Sequence, residues 1–168
     1  RTFDHTALQT AIRRSLPIAA VFVFDTDILN RLPENDRRLT FMHDCLTELQ
    51  AAIQQKNVPL WLLHGRAEIE IPALAQRLNA AAVVCAEDYE PQAIARDNHV
   101  WRTLDAQGCT LVRVTDQVLL PKASVMTQQG RPYTVFTPYK KAWLQTYARL
   151  YAGWQPHDDW DTLAALQQ

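Results

Sequence analysis

Three polar stretches carry most of the side chains in this sequence that could hold a ligand. Asp25-Thr26-Asp27 follows the apolar run 18–24, His64-Gly65-Arg66 follows 60–63, and Glu87-Asp88-Tyr89-Glu90 follows 81–86. Their carboxylates, imidazole and guanidinium can grip a polar ligand through charge and hydrogen bonds. A lone carboxylate at the end of a strand is more often a helix cap or a solvated loop residue. That plainer reading weighs more for Asp25 and Asp27. Other chemistry lacks support. His43 lies near Cys45 but has no further ligands at helical spacing, so zinc is not expected and His43 reads as a helix-face residue. Ser15, Ser124 and the three cysteines lack a His and an acid at motif spacing, which leaves a nucleophilic hydrolase unsupported. With four glycines and neither GxGxxG nor GxxxxGK[ST], a Rossmann dinucleotide loop and a P-loop are excluded.

The elements that must position these residues alternate. Asp4 to Arg14 predicts a helix with Leu8, Ala11 and Ile12 on one face and Asp4 or Thr6 as its N-cap; Pro17 stops it. Ile18 to Phe24 is a continuous apolar run of strand length, the pattern of a strand covered on both faces. Asn35 to Lys56 repeats Leu39, Met42, Leu46, Leu49 and Ile53 at three- and four-residue steps, a long amphipathic helix. Leu60 to Leu63 predicts a second strand, with Gly65 as a breaker. Glu68 to Leu78 predicts a helix whose Pro72 fits a first turn if it starts later. Ala81 to Ala86 reads as a strand, and Pro91 to Gln107 as a helix ended by Gly108. Thr110 to Val114 is the last strand. Such alternation means an α/β domain with a parallel sheet and right-handed crossovers. In open sheets of this kind ligands bind outside the carboxyl ends of the strands, where the three polar stretches fall.

Residues 116–137 read as irregular. Pro138 to Tyr151 predicts a helix with Trp143, Leu144, Tyr147 and Leu150 on one face. In it, Pro138-Tyr139-Lys140-Lys141-Ala142-Trp143 mixes aromatic and basic residues, as nucleic-acid surfaces do. The stronger reading makes Trp143 and Tyr147 core or interface anchors and leaves the lysines solvated. Formal net charge is −1, so no global basic field captures nucleic acid. Cys45, Cys85 and Cys109 are sparse and unpaired, which fits free thiols in a reducing compartment, with Cys85 in the core. Without an apolar run near membrane-spanning length or a secretory leader, the expected location is cytoplasmic and no membrane partner is expected.

Several blocks resemble the N-terminal domain of the DNA photolyase and cryptochrome family, in order and spacing: AVFVFDTDIL at 20–29, residues 37–49 with HDCLTEL, Leu63-His64-Gly65, Tyr89-Glu90-Pro91 with Ala95-Arg96-Asp97, and Asp116-Gln117. Most specific is GRPYTVFTPYKKAW at 130–143, similar to the family's GxPYxVFTPYxxAW signature. The resemblance covers roughly residues 1–150. It implies a doubly wound, Rossmann-like α/β domain of about five strands that holds a light-harvesting antenna chromophore, with 151–168 as the start of an interdomain linker. It also implies a helical partner domain that follows in the same polypeptide and binds FAD and damaged DNA. The implied parent is a deoxyribodipyrimidine photo-lyase, a carbon–carbon lyase that uses flavin electron transfer on a pyrimidine dimer flipped out of the duplex. The FAD-binding motifs are not in this chain, so no catalytic residue is expected here, and a monomer is.

The same resemblance implies a first, central strand ahead of Arg1, and about ten further residues before Arg1 would supply it with its loop. It implies cofactor-binding roles for Asp88 and Glu90, which match an Asp-x-Glu-Pro segment of deazaflavin-using members, and for Arg37 in the long helix; Asp25 joins them as a strand-end candidate. Folate-using members carry an Asn-Glu pair where this chain has Gln92 and Ala93, and Ala93 has no polar group for a pterin. A deazaflavin-like or flavin antenna is therefore favoured over folate. A blue-light receptor on the same scaffold is the nearest alternative. A stand-alone nucleotide-binding module of the universal-stress or electron-transfer-flavoprotein type is a further one, which glycine poverty disfavours.

Overall fold

The structure is a computed structural model that describes residues 3–153. Its elements run α1 Thr6–Ile12, β1 Ala20–Asp25, α2 Thr26–Leu29, α3 Arg37–Gln54, β2 Leu60–Gly65, α4 Ala67–Arg77, β3 Ala82–Ala86, α5 Pro91–Ala106, β4 Thr110–Val114 and α6 Phe136–Leu150. The four predicted strands and five long helical segments are all present, and α2 is a short addition. The linker expected over 151–168, with Trp154 and Trp160, lies beyond the described residues from 154 onward.

All strand pairing is parallel. β1 pairs with β2 from Ala20 opposite Leu60 to Asp25 opposite Gly65. β3 pairs with β4 from Ala82 opposite Thr110 to Ala86 opposite Val114. Among the described residues no ladder joins the two pairs, so β1 and β3 each keep one edge without a strand partner. Helices bind the pairs into one domain. Ile12 of α1 packs with Ile53 and Val58, against Ala20 and Leu60 of the first pair, while α1 also lies along β3 and β4. Helix α4 touches β1 and β2, and its Ala75 packs with Val100, Leu104 and Cys109 against Val83 and Leu111 of the second pair. This is the α/β, Rossmann-like class expected.

Local details depart from expectation in three places. The cap of α1 is His5, whose Nδ1 accepts the Leu8 N–H at 3.2 Å, and the Asp4 backbone instead takes a left-handed φ of 48°. Pro72 lies inside α4 rather than in its first turn, because the helix opens at Ala67; its ring is buried. On α6, Leu144 and Leu150 are exposed, whereas Trp143 and Tyr147 are half-buried. Gly108, with φ +74°, follows the C-cap of α5 and supplies the left-handed turn that ends it.

Leu104 is fully buried at the centre of the second cluster. Leu104→Ala should cost about 2–5 kcal/mol, the range for a leucine cavity that cannot collapse. Urea unfolding should show a lower midpoint at unchanged slope, whereas Leu104→Met should stay within about 1.5 kcal/mol.

Candidate functional site

The polar stretches do gather at the carboxyl edge of the strands. β1 ends at Asp25 and β2 at Gly65, directly opposite. Arg66, just beyond β2, bonds Asp27 at 3.2 Å and pairs with Glu68. Gly65 permits this turn; a Cβ there would meet the Glu70 Oε1 at 2.6 Å, and its φ is +152°. At the second pair, the Thr115 hydroxyl donates to Glu87 at 2.6 Å, joining the ends of β3 and β4. The Arg31 guanidinium donates to the Gln92 side-chain Oε1 at 2.6 Å. This contact spans the two pairs: it ties the segment after α2 to the first turn of α5.

Most carboxylates here serve the backbone. Asp25, buried, caps α2 by accepting the Asp27 N–H at 3.0 Å. Asp36 caps α3 by accepting the Arg38 N–H at 2.9 Å, and the Arg38 guanidinium closes on the same carboxylate at 2.9 and 2.6 Å. Asp116 accepts the Thr6 N–H at 2.9 Å. Asp88 turns its Oδ1 to the N–H groups of Tyr89 and Glu90, at 2.6 and 3.2 Å. The bonds of Asp25, Asp36 and Asp116 satisfy donors that helix starts leave open, whereas those of Asp88 shape the turn ahead of α5.

Against that background the four expected ligand residues separate. The Oδ1 of Asp25 is engaged as a cap, as the plainer reading held. Asp88 has one oxygen committed to its own turn. Glu90 is exposed at the N-cap position of α5 without bonding it. Arg37 opens α3, exposed, with no ion pair among the described residues. Arg37, Glu90 and Glu70 in the first turn of α4 are thus charges at helix starts that make no side-chain hydrogen bond or ion pair among the described residues. Ala93 is buried on α5, consistent with its lack of a polar role. His43 is exposed beside Asp44, and no group of metal-ligating side chains occurs among the described residues.

Sequence reasoning missed Arg31 and the hydroxyl of Tyr89. Arg31 sits in an aperiodic polar loop, where nothing local signals a partner 61 residues away. The Tyr89 hydroxyl is buried with no hydrogen-bond partner among the described residues. Burial pushes its phenol pKa up, and Glu87 and Asp88 add to the shift. Tyr89 also lines an open cavity of about 260 Å³ with residues of 118–125 and α6. Burial likewise raises the Cys85 thiol, with Asp97 adding to it, so this cysteine behaves as a packing residue.

The family model described as DNA photolyase matches residues 1–159. The chain belongs to the DNA photolyase family. An uncharacterized 31.6 kDa protein of Synechococcus sp. is 37% identical over 143 residues, covering 85% of this chain and 50% of that protein. A deoxyribodipyrimidine photo-lyase of another Synechococcus strain is 34% identical, covering 85% of this chain and 30% of its own length. This photolyase-family chain therefore spans half or less of the length of such relatives. Among solved structures, a Synechocystis cryptochrome superposes with TM-score 0.74 at 18% identity, over 86% of this chain and 31% of its own. An archaeal photolyase from Sulfolobus tokodaii, described with two FAD molecules and a novel light-harvesting cofactor, gives TM-score 0.64 at 20% identity, over 100% of this chain and 39% of its own. These two likenesses establish the fold.

Arg38 holds the Asp36 carboxyl at about 2, below its ordinary 3.8. A pKa lowered on folding contributes stability that is present above the unfolded value and lost as pH falls through the folded one. The α3 cap should therefore survive to pH 4 and fail between pH 4 and 2. A carboxyl-carbon NMR titration should place the Asp36 inflection near 2; Arg38→Ala should return it toward 3.8.

Proposed function

We propose that this chain is the light-harvesting domain of a DNA photolyase that repairs ultraviolet-induced pyrimidine dimers. The observation that carries the reading is the family match over 1–159, joined to the uncommitted Arg37 and Glu90 near the carboxyl edge of the strands. The chromophore would be a flavin or deazaflavin. When bound, it would supply absorption in the near-ultraviolet and blue and pass that excitation to FAD in a helical partner domain of the same polypeptide.

The protein's own residues have defined tasks in this reading. Arg37 offers a planar fork of donors to carbonyl or phosphate oxygens at the start of α3. Glu90 accepts from ring or ribitol donors, and Asp88 keeps one oxygen for the same purpose while its other holds the loop in shape. Asp25 acts behind them by fixing α2. The Arg31–Gln92 bond holds the two sides of the edge together. Ala93, buried and apolar, gives a pterin nothing to bond, which favours flavin over folate. In the whole protein the partners would be DNA and the helical domain. The uncovered apolar side chains of α6 suit such a docking: Phe136 is 72% exposed, and Leu144 and Leu150 stand out beside it. A blue-light receptor shares the scaffold. The relatives named deoxyribodipyrimidine photo-lyase weigh toward repair.

The test is retention of FMN by the chain, read as an absorbance band in the blue after gel filtration. Glu90→Ala and Arg37→Ala should each weaken retention roughly tenfold or more, as losing a charge-assisted bond does. A wild-type chain that retains no flavin, or variants that retain it unchanged, would overturn the site.

A further inference from the structure

The two strand pairs carry open edges whose polar groups can be assigned residue by residue. The Ala20 N–H bonds the Pro59 carbonyl at 2.9 Å, so the even-numbered residues of β1 turn their backbone groups to β2. Val21 and Val23 turn theirs away. In the second pair the Thr110 N–H bonds the Ala81 carbonyl at 3.1 Å, and the Glu87 N–H bonds the Val114 carbonyl at 2.9 Å. Odd-numbered residues there face β4, and Ala82, Val84 and Ala86 face away. Among the described residues no strand meets these five on that side.

The helices fix where the two edges lie. Ile12 of α1 and Ile53 of α3 pack on the face of the first pair that carries Ala20 and Leu60. Arg77 of α4 lies over the Trp61 ring, on the opposite face, and α5 packs with α4. Right-handed crossovers on opposite faces carry the chain in opposite directions. β2 and β4 are therefore the outer strands, and β1 and β3 the inner ones. The Arg31–Gln92 bond joins the carboxyl ends of both pairs, so β1 and β3 run the same way. Between them lies a slot, wider than one strand spacing because no ladder closes it. Helix α4 touches β1, and its Ala75 packs in the cluster that takes in Val83 of β3. A helix is roughly 10–12 Å across, and two strand spacings are about 9.5 Å. The slot has the width of one strand.

We infer that this slot takes a further strand, parallel to β1 and β3 and apolar on both faces, supplied by polypeptide joined directly ahead of α1. The position of α1 selects that donor. Its Thr6 N–H bonds Asp116, just beyond β4, at 2.9 Å, so α1 starts at the carboxyl edge. A parallel strand in the slot ends at the same edge. The short stretch ahead of Thr6 then joins the two, within the roughly 2–6 residues usual for such loops. The return through α1 to β1 is a right-handed crossover on the face of α3. Cover by α1 and α4 on its two faces demands an apolar segment, and the two open edges give its backbone groups partners on both sides. Filling the slot also removes the half-exposure of β3 and the 36% exposure of Val21.

The experiment follows amide exchange by NMR in the 168-residue chain and in the same chain with Thr-Val-Val-Ile-Val-Thr joined ahead of Arg1. In the unextended chain the N–H groups of Val21, Val23, Val84 and Ala86 should exchange freely while those of Phe22 and Val83 are protected. The extension should slow the first set at least tenfold, raise the urea midpoint and leave the chain monomeric in sedimentation. The same extension with proline at its second and fourth positions should leave exchange and midpoint unchanged, because proline has no N–H to give. Should the unextended chain exchange at every amide, the two extensions carry the same comparison. Protection of the first set in the unextended monomer, or exchange indifferent to the extension, would overturn the inference. Protection that appears only on dimerisation would give the slot to a second copy and overturn it equally. No outcome depends on bound flavin.

Discussion

The start of a helix leaves backbone N–H groups that the helix itself cannot satisfy. In this domain helices α1 to α5 start near the same strand edge, and the chain meets part of that demand with carboxylates, α4 and α5 having no side-chain cap. Asp25 serves α2, Asp36 serves α3, Asp116 serves the start of α1, and Asp88 serves the turn that leads into α5. Whatever binds at this edge must be gripped by what remains. That constraint turns a crowd of charged residues into a short set: Arg37, Glu90 and Glu70 with free capacity, Asp88 with half of its own.

The same edge is stitched sideways by contacts that do not depend on the sheet. Arg66 reaches Asp27 between the ends of β1 and β2, Thr115 reaches Glu87 between β3 and β4, and Arg31 reaches Gln92 between the pairs. These are surface or half-buried bonds, each worth little to global stability. Their effect is positional. With β1 and β3 unpaired to each other, the helices α1 and α4 bear the cohesion through Ile12 and Ala75, and the polar bridges set the relative height of the loops above the strands. Burial within the strands is correspondingly partial: every residue of β3 is half-exposed, although each is small, apolar or both. Runs such as AVVCA are written for cover on both faces, so this partial burial is a departure from what their composition favours.

Much of this was legible in the residues. The strands follow from continuous apolar runs, and the Thr110–Val114 strand falls where its β-branched residues put it. Helix α3 follows from its Leu46 and Ile53 spacing, both now buried. The three polar stretches were placed at strand ends by alternation alone. What could not be read was which oxygen would be spent. Asp88 and Glu90 are equivalent in a sequence, and only the turn geometry commits the first and frees the second. The His5 cap was equally hidden, because imidazole caps are rare beside the acid and hydroxyl neighbours available at Asp4 and Thr6. Arg31 and Gln92 meet across 61 positions, the one in an aperiodic loop and the other in the first turn of α5. Long-range polar pairs leave no local trace, whereas apolar periodicity is local by construction.

Helix α6 shows the same division between what packs and what is left over. At about 100° per residue, Phe136, Tyr139, Trp143, Tyr147, Leu150 and Tyr151 fall on one arc, with Leu144 at its margin. Part of that arc is held: Trp143 and Tyr147 in the middle turns are half-buried, and the Tyr151 hydroxyl donates to the Leu119 carbonyl. The first and last residues of the helix are not, since Phe136 and Leu150 remain 72% and 54% exposed. A helix that uses only the centre of its apolar face to stay attached has the rest available for another surface. The stack of Trp143, Tyr147 and Tyr151 makes the attachment rigid while the flanking side chains stay open.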